Sequence, residues 1–266
     1  MRILLTNHVL AHRTGTELFL VELADRLRER GHEPVLYSPV LGALAREAQA
    51  SGLEVIDDLD ALDRVDRADR ADRIETPFDL IHGQHWMETL SASLCFPDLP
   101  VVAMVHGHYP WQERVAALPT VRAWVTVNEA TVDKVAREAG VPPERIEVVP
   151  NGVDLRRFLP RAPLPTRPAR ALVFSNLAQE SSFLPAIRAA CARFGIAVDV
   201  AGLASGAVAS RPEDLLPAYD LVFAKGRAAL EALAVGCAVV VCDADGSGPL
   251  VEFSNVDRLR AANLGR

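Results

Sequence analysis

Cysteine is scarce in this sequence. The four among 266 residues, Cys95, Cys191, Cys237 and Cys242, are scattered through apolar stretches with no CxxC pair. That spacing excludes a disulfide framework and a zinc knuckle. No apolar run reaches membrane-spanning length, and the start, MRILLTNHVLAH, turns polar too early for a secretory signal core. A reducing, cytoplasmic setting is therefore expected. Net positive charge is lacking as well: 28 Lys and Arg against 35 Asp and Glu leave a formal charge of -7. Such a chain is not a general binder of nucleic acid or of anionic membrane, because neither phosphate field favours an acidic partner. No GxGxxG follows a predicted strand, so the nicotinamide and flavin fingerprint is missing. What is present, 50% hydrophobic and 24% charged residues, is ordinary for a folded globular chain and excludes wholesale disorder.

The apolar runs alternate with helical patterns. Arg2–Thr6 reads as a strand, about 16–30 as an amphipathic helix closed by Gly31, and Glu33–Ser38 as the next strand. Strand, helix and strand of these lengths make a βαβ unit and imply a parallel sheet. Further strands are expected at Glu54–Ile56, Asp79–His82, Val101–Val105, Ala123–Val127 and Ile146–Val149. The stretch 160–168 carries four prolines in nine positions and reads as a linker, which assigns 1–159 to a first domain, 160–169 to the linker and 170–266 to a second. In the second domain the alternation resumes: strands at Ala171–Ser175, Ala197–Ala201, Leu221–Ala224 and Ala238–Asp243, helices at Pro185–Phe194 and Arg227–Val235. The fold class is α/β, two Rossmann-like domains with parallel sheets facing each other across a hinge. The Asp/Arg repeat at 63–73 reads as an expanded surface connection, with a partner-docking arm as the other reading.

Ligands of open parallel sheets bind outside the carboxyl ends of the strands. After the first strand come His8 and then Thr14-Gly15-Thr16-Glu17, where Gly15 permits close backbone approach and Thr14 or Thr16 caps a helix whose N-terminus attracts anions. All seven histidines lie at or before His108. His8, His82, His85, His106 and His108 follow or end three separate strands, which points to one shared ligand edge. Zinc is one reading of that edge, but only Glu17 and Glu88 lie near it in sequence. Hydrogen bonding to a polyhydroxylated substrate, or proton relay, fits imidazoles without thiolates or paired acids, and no metal is expected. In the second half, Lys225-Gly226-Arg227 sits between a strand end and a helix start. Two cations and free backbone N–H groups there suit a diphosphate, and Glu231 one turn on suits a ribose diol. The glycine-bearing stretch 243–249 reads as a flexible loop suited to closing over a ligand.

Together these residues resemble the nucleotide-sugar-dependent glycosyltransferases of GT-B architecture, specifically the retaining family 4 (group 1). The resemblance rests on the Thr14–Glu17 turn, the Val105-His106-Gly107 strand end, Val149-Pro150-Asn151-Gly152-Val153-Asp154 followed by Phe158, and Ala229-Leu230-Glu231-Ala232-Leu233-Ala234-Val235-Gly236 with the strand after it. It implies a nucleoside-diphosphate-sugar donor held mainly by the C-terminal domain, with Glu231 on the ribose. It implies His106 near the transferred sugar and Gly15 beside the donor phosphates or the acceptor. His85 and His108, with Thr14 and Thr16, are further candidate substrate contacts. Retaining transfer in this family needs no protein nucleophile, in keeping with the missing carboxylate pair of hydrolases. The acceptor hydroxyl belongs to a sugar, a lipid or a small molecule.

The sequence also departs from the family pattern. The first Glu of the family's acidic pair falls eight residues before the second, where this chain has Phe223, and the basic pair after the second domain's first strand is replaced by Ser175–Glu180. Lys225 and Arg227 take over the phosphate role in this reading. The chain also runs only a little past the last recognised strand, so either an abbreviated or a truncated C-terminal domain is expected. These departures equally fit a nucleotide-, glycan- or partner-binding protein without turnover, and a metal hydrolase built on the histidine edge is the third reading.

Overall fold

The computed structural model describes residues 1–59, 77–108, 110–244 and 246–265. The Asp/Arg repeat at 63–73 therefore lies outside the described residues. The chain divides into two compact units, Met1–Val149 and Pro150–Arg266. No helix among the described residues is long and apolar enough to cross a membrane.

In the first unit the strands are β1 (Arg2–Thr6), β2 (Glu33–Tyr37), β3 (Glu54–Ile56), β4 (Leu80–Gln84), β5 (Val101–Val105), β6 (Val121–Thr126) and β7 (Ile146–Val148). All pair in parallel, in the order β3-β2-β1-β4-β5-β6-β7. The helices are α1 (Gly15–Glu29), α2 (Ala43–Ala50), α3 (Trp86–Cys95) and α4 (Val132–Ala139). Strands buried on both faces must be apolar throughout, and β1 shows it. Ile3 and Leu5 join Leu20, Ala24 and Leu44 on one face, while Leu4 joins Ala92 and Val135 on the other. A fully buried leucine contributes about 1.5–3 kcal/mol, so the chain leaving β1 is held as firmly as the core. Strand order turns back between β1 and β4, which makes their carboxyl ends the switch point of this sheet.

The second unit contains β8 (Arg170–Phe174), α5 (Leu184–Ala192), β9 (Ala197–Ala201), α6 (Pro212–Leu215), β10 (Leu221–Ala224), α7 (Gly226–Val235), β11 (Ala238–Asp243), β12 (Gly246–Leu250) and α8 (Val256–Ala261). Its sheet runs β12-β11-β10-β8-β9, with β12 antiparallel to β11, and turns back between β8 and β10. Helix α7 buries Ala229, Leu230, Ala232 and Val235 against Leu172, Val222 and Val239, and Gly236 ends it with φ +92. Phe158 is fully buried in the same core, and Arg161 donates to the Val235 carbonyl at 2.8 Å and pairs with Asp220 at 3.0 Å. Residues 150–159 thus pack with the second unit, whereas composition drew that border at the prolines.

The stretch expected to be a flexible loop at 243–249 is corrected by the structure. Gly246–Leu250 forms β12, with Cys242 opposite Ser247 and Val240 opposite Leu250. At a sheet edge the proline at 249 has no ladder donor to lose, which is why two glycines and a proline are tolerated in a strand.

Candidate functional site

The first cluster of polar side chains lies at the carboxyl ends of β1, β4 and β5. Glycine at 83 brings β4 close to α3, since a Cβ there would overlap the Thr89 side chain, and Thr89 Oγ1 donates to the His85 carbonyl at 2.7 Å. His85 follows with φ +63, a left-handed conformation that costs a non-glycine residue about 1–3 kcal/mol unless its surroundings fix it. Two contacts fix it. The His8 backbone N–H donates to His85 Nδ1 at 3.0 Å, and His85 Nε2 lies 3.4 Å from Glu113 Oε1. A backbone N–H can only donate, so Nδ1 is the unprotonated nitrogen and Nε2–H faces the carboxylate.

Glu113 joins two strand ends. Its other oxygen accepts from the His106 backbone N–H at 2.7 Å. Burial acts to raise its pKa, yet the His85 hydrogen bond and the neighbouring imidazoles hold it below the usual carboxylate value. Lys134, buried on α4, donates to the carbonyls of Glu113 at 2.6 Å and Gly107 at 3.1 Å, and so ties down the loop between them. Burial pushes this ammonium below its ordinary value, against the pull of Glu138 and Glu113.

His106 itself is partly buried. Its Nε2 is 2.7 Å from Gln84 Oε1 and its ring stands edge-to-face on Phe19 at 4.9 Å. Burial lowers its pKa to about 4, with Glu113 pulling the other way. It is therefore neutral near pH 7, a hydrogen-bonding group rather than a charge. With the Gln84 oxygen facing it, Nε2 carries the proton and Nδ1 is the acceptor. His8 completes the edge, its Nδ1 2.9 Å from Glu88 Oε1 and its ring 5.1 Å from that of Trp111. The structure thus brings His8, His85 and His106 together and leaves His108 exposed on the loop beyond. His82 sits within β4, paired beside Leu5 and Val102 rather than at the edge, with a pKa lowered to about 4 by burial.

Thr14 caps α1, and Glu17 returns to it. Glu17 accepts from the backbone N–H groups of Thr14 at 3.2 Å and His12 at 3.3 Å, and from the Thr14 hydroxyl. Burial raises the Glu17 pKa against these bonds. Gly15 opens the helix with Thr16 after it, and a Cβ at position 15 would meet nothing within 4 Å. Among the described residues nothing crowds that position.

The second cluster opens α7, next to the switch point between β8 and β10. Lys225 is the N-cap, Gly226 adopts φ +55, and the Gly226 N–H donates to the Leu264 carbonyl at 3.2 Å. Both cations have carboxylate partners: Lys225 pairs with Asp243, and Arg227 Nε donates to Glu231 Oε1 at 2.7 Å across one helical turn. Glu231 is 4% exposed, and the Arg227 contact helps to compensate its burial. Phe223 lies inside β10, opposite Val173 and Val240.

Sequence reasoning missed Glu113, Lys134 and Gln84. Glu113 and Lys134 serve the site from a loop and from a helix of another crossover, so no local periodicity marks them. Among the described residues, no three His, Cys, Asp or Glu side chains are arranged to hold a metal ion.

The sequence model of glycosyltransferase family 4 matches residues 13–157, more than half of the chain. No curated protein gives a significant match. Among solved structures, the chain is similar to a glycosyltransferase from Rickettsia africae ESF-5 at 14% identity, with 90% of this chain and 78% of that chain covered and a TM-score of 0.62. It is also similar to Alr3699/HepE of Anabaena, solved with UDP and glucose, at 17% identity, covering 92% and 81% with a TM-score of 0.63. WaaG, a glycosyltransferase of lipopolysaccharide biosynthesis, matches at 13% identity over 99% and 85% with a TM-score of 0.57. These likenesses show the fold, two Rossmann-like units of GT-B type. With the family model matching from the turn at Thr14 through β7, the chain belongs to glycosyltransferase family 4 and is a nucleotide-sugar-dependent glycosyltransferase.

Proposed function

We propose that this enzyme moves a sugar from a nucleoside-diphosphate sugar to an acceptor hydroxyl with retention of configuration and without a metal. The observation that carries the reading is the start of α7, where Lys225, Gly226 and Arg227 meet the buried Glu231 within two helical turns. Two cations and a helix N-terminus supply the charge that a departing diphosphate needs. Glu231, held in place by Arg227, takes the ribose hydroxyls. Lys225 exchanges Asp243 for phosphate when the donor enters. Gly15 gives close approach to phosphate or acceptor, and His106, neutral and hydrogen-bonded to Gln84, contacts the transferred sugar. Thr14, Thr16, His85 and His108 are the outer substrate contacts.

The use of the carboxylates supports transfer without a protein nucleophile, as the family resemblance implies for a retaining enzyme. Glu17 is committed to the α1 cap and Glu113 to His85 and His106, and one oxygen of Glu88 holds His8, so neither Glu17 nor Glu113 is placed to act as a nucleophile. In the step proposed, the anomeric C–O bond to diphosphate breaks with its electron pair going to the diphosphate. The acceptor oxygen bonds the same face of the anomeric carbon, and its proton passes to the departing phosphate oxygen. The protein orients two substrates and stabilises the developing charge.

One observation favours a second reading, a binder without turnover: Phe223 lies within the sheet at the position of the family's sugar-holding Glu. Incubation with UDP-, GDP- and ADP-sugars and methyl glycosides in EDTA separates the two. Release of nucleoside diphosphate, with a product of unchanged anomeric configuration by NMR, supports the enzyme. Binding without release over the whole panel supports the binder, and an inverted product overturns retention.

A further inference from the structure

We propose that the acceptor is a carbohydrate, and that a pyranose ring of it stacks on Trp111 with a hydroxyl directed to the His8–Glu88 pair. The inference rests on the acceptor belonging to the first unit, and it names the acceptor's chemistry and its site. Trp111 is 53% exposed, a large indole left on the surface, where burial would normally have been the favourable choice. Its place is nonetheless fixed. The short helix Trp111–Glu113 ends in the residue that binds His85 and the His106 backbone, so the carboxylate that joins two strand ends also sets the indole. The ring stands at 84° to the His8 imidazole, with centroids 5.1 Å apart. A rigid aromatic face beside a polar group is what a pyranose requires, because its C–H face is apolar and its hydroxyls project from the rim.

His8 supplies the polar group in a defined state. Glu88 is buried and accepts at His8 Nδ1, so the neutral ring keeps its proton on Nδ1 and offers the Nε2 lone pair to a hydroxyl donor. The polar groups packed behind His8 are incompletely satisfied as well. Glu88 Oε2 and both amide atoms of the fully buried Asn7, the residue before His8, have no hydrogen-bond partner among the described residues. Enclosed polar atoms left unmatched are costly. A ring hydroxyl donates to the imidazole nitrogen, which an alkyl chain cannot do. His8 and Trp111 therefore act in binding and orienting the acceptor, while its proton still leaves with the diphosphate.

The test is titration of the full chain with methyl hexopyranosides, read by tryptophan fluorescence and saturation-transfer NMR, alongside titration with UDP, GDP and ADP. Phenol serves as the flat aromatic control. Saturable glycoside binding is expected, with the fluorescence change lost in Trp111→Ala and affinity reduced about fivefold or more, of the order measured for aromatic pairs. Trp111→Phe should keep most of the affinity. His8→Ala should weaken binding, and His8→Gln, which retains an acceptor oxygen, should recover part of it. Nucleotide affinity should not change in any of the four variants. Glycoside binding indifferent to Trp111→Ala and His8→Ala would overturn the proposal. So would phenol binding in place of glycosides, or the absence of glycoside binding in a protein that binds nucleotide. If glycosides bind as expected and no nucleotide binds, the donor reading falls and the acceptor site stands.

Discussion

Glu113→Gln is the substitution that most directly probes the joined strand ends. The wild-type carboxylate receives the His106 N–H at 2.7 Å and faces His85 Nε2 at 3.4 Å, at 4% exposure. Glutamine has one carbonyl oxygen, so it keeps one of these contacts in neutral form and turns an NH2 toward the other donor. A hydrogen bond to a charged group contributes about 1.5–3 kcal/mol against about 1 for a neutral one, and a buried donor left unmatched costs about 1–3 kcal/mol. The expected loss is therefore about 2–4 kcal/mol in the first unit. For a unit of this size that is a fall in melting temperature of roughly 5–15 °C. The pH dependence carries a second check. The folded pKa of Glu113 is depressed, so its stabilisation is complete above the ordinary carboxylate value and is lost as pH falls through the depressed one. The gap between wild type and Glu113→Gln, measured by thermal unfolding across that range, should close in acid. A melting temperature within about 2 °C of wild type near pH 7 would refute the reasoning, as would a gap that persists at low pH.

Three further outcomes follow from the same geometry. His82 and His106 have folded pKa values near 4 against an ordinary 6.5; the unfolded chain therefore binds more protons between those values, and stability should rise with pH across that window. Urea unfolding at about pH 5 and 7 should show the difference, and His82→Leu should reduce the slope. Gly15→Ala should stabilise α1 by about 0.5–1 kcal/mol, since no protein atom crowds a Cβ there, while weakening donor or acceptor binding by calorimetry; unchanged binding of both would remove Gly15 from the site. Asp243→Asn frees Lys225 from its carboxylate partner, and nucleotide affinity should rise by about two- to fivefold, within the range of a half-exposed ion pair.

Most strands are legible because parallel strands buried on both faces are continuous apolar runs, as in RILLT and VVAMV. The short helices α2, α3, α4 and α8 were not read from the sequence, whereas α5 and α7, no longer than α3, stood out between recognised strands of the second unit. Strand β12 escaped because Gly and Pro carry loop signals that an edge position overrides. At the site, His8, His85 and His106 were readable as residues that follow strands. Of their partners, Glu88 was visible as a nearby carboxylate and holds His8, whereas Glu113 and Lys134 were not readable, because they meet the edge only through crossovers that the sheet brings together. In the second unit, the positions of Lys225, Arg227 and Glu231 were readable, but their internal ion pairs were not. The Arg227–Glu231 spacing is that of one helical turn, while the partner of Lys225 lies on the next strand.

The central claim is a metal-free nucleotide site at the start of α7. It is tested most directly by the melting temperature with UDP, GDP and ADP in EDTA, for wild type and for the Lys225→Ala/Arg227→Ala double variant. A nucleotide at a hundred times its dissociation constant adds about 2.7 kcal/mol of stability, so one of the three should raise the wild-type midpoint visibly and leave the double variant unmoved. No shift with any nucleotide in EDTA, or an equal shift in the double variant, would contradict the account.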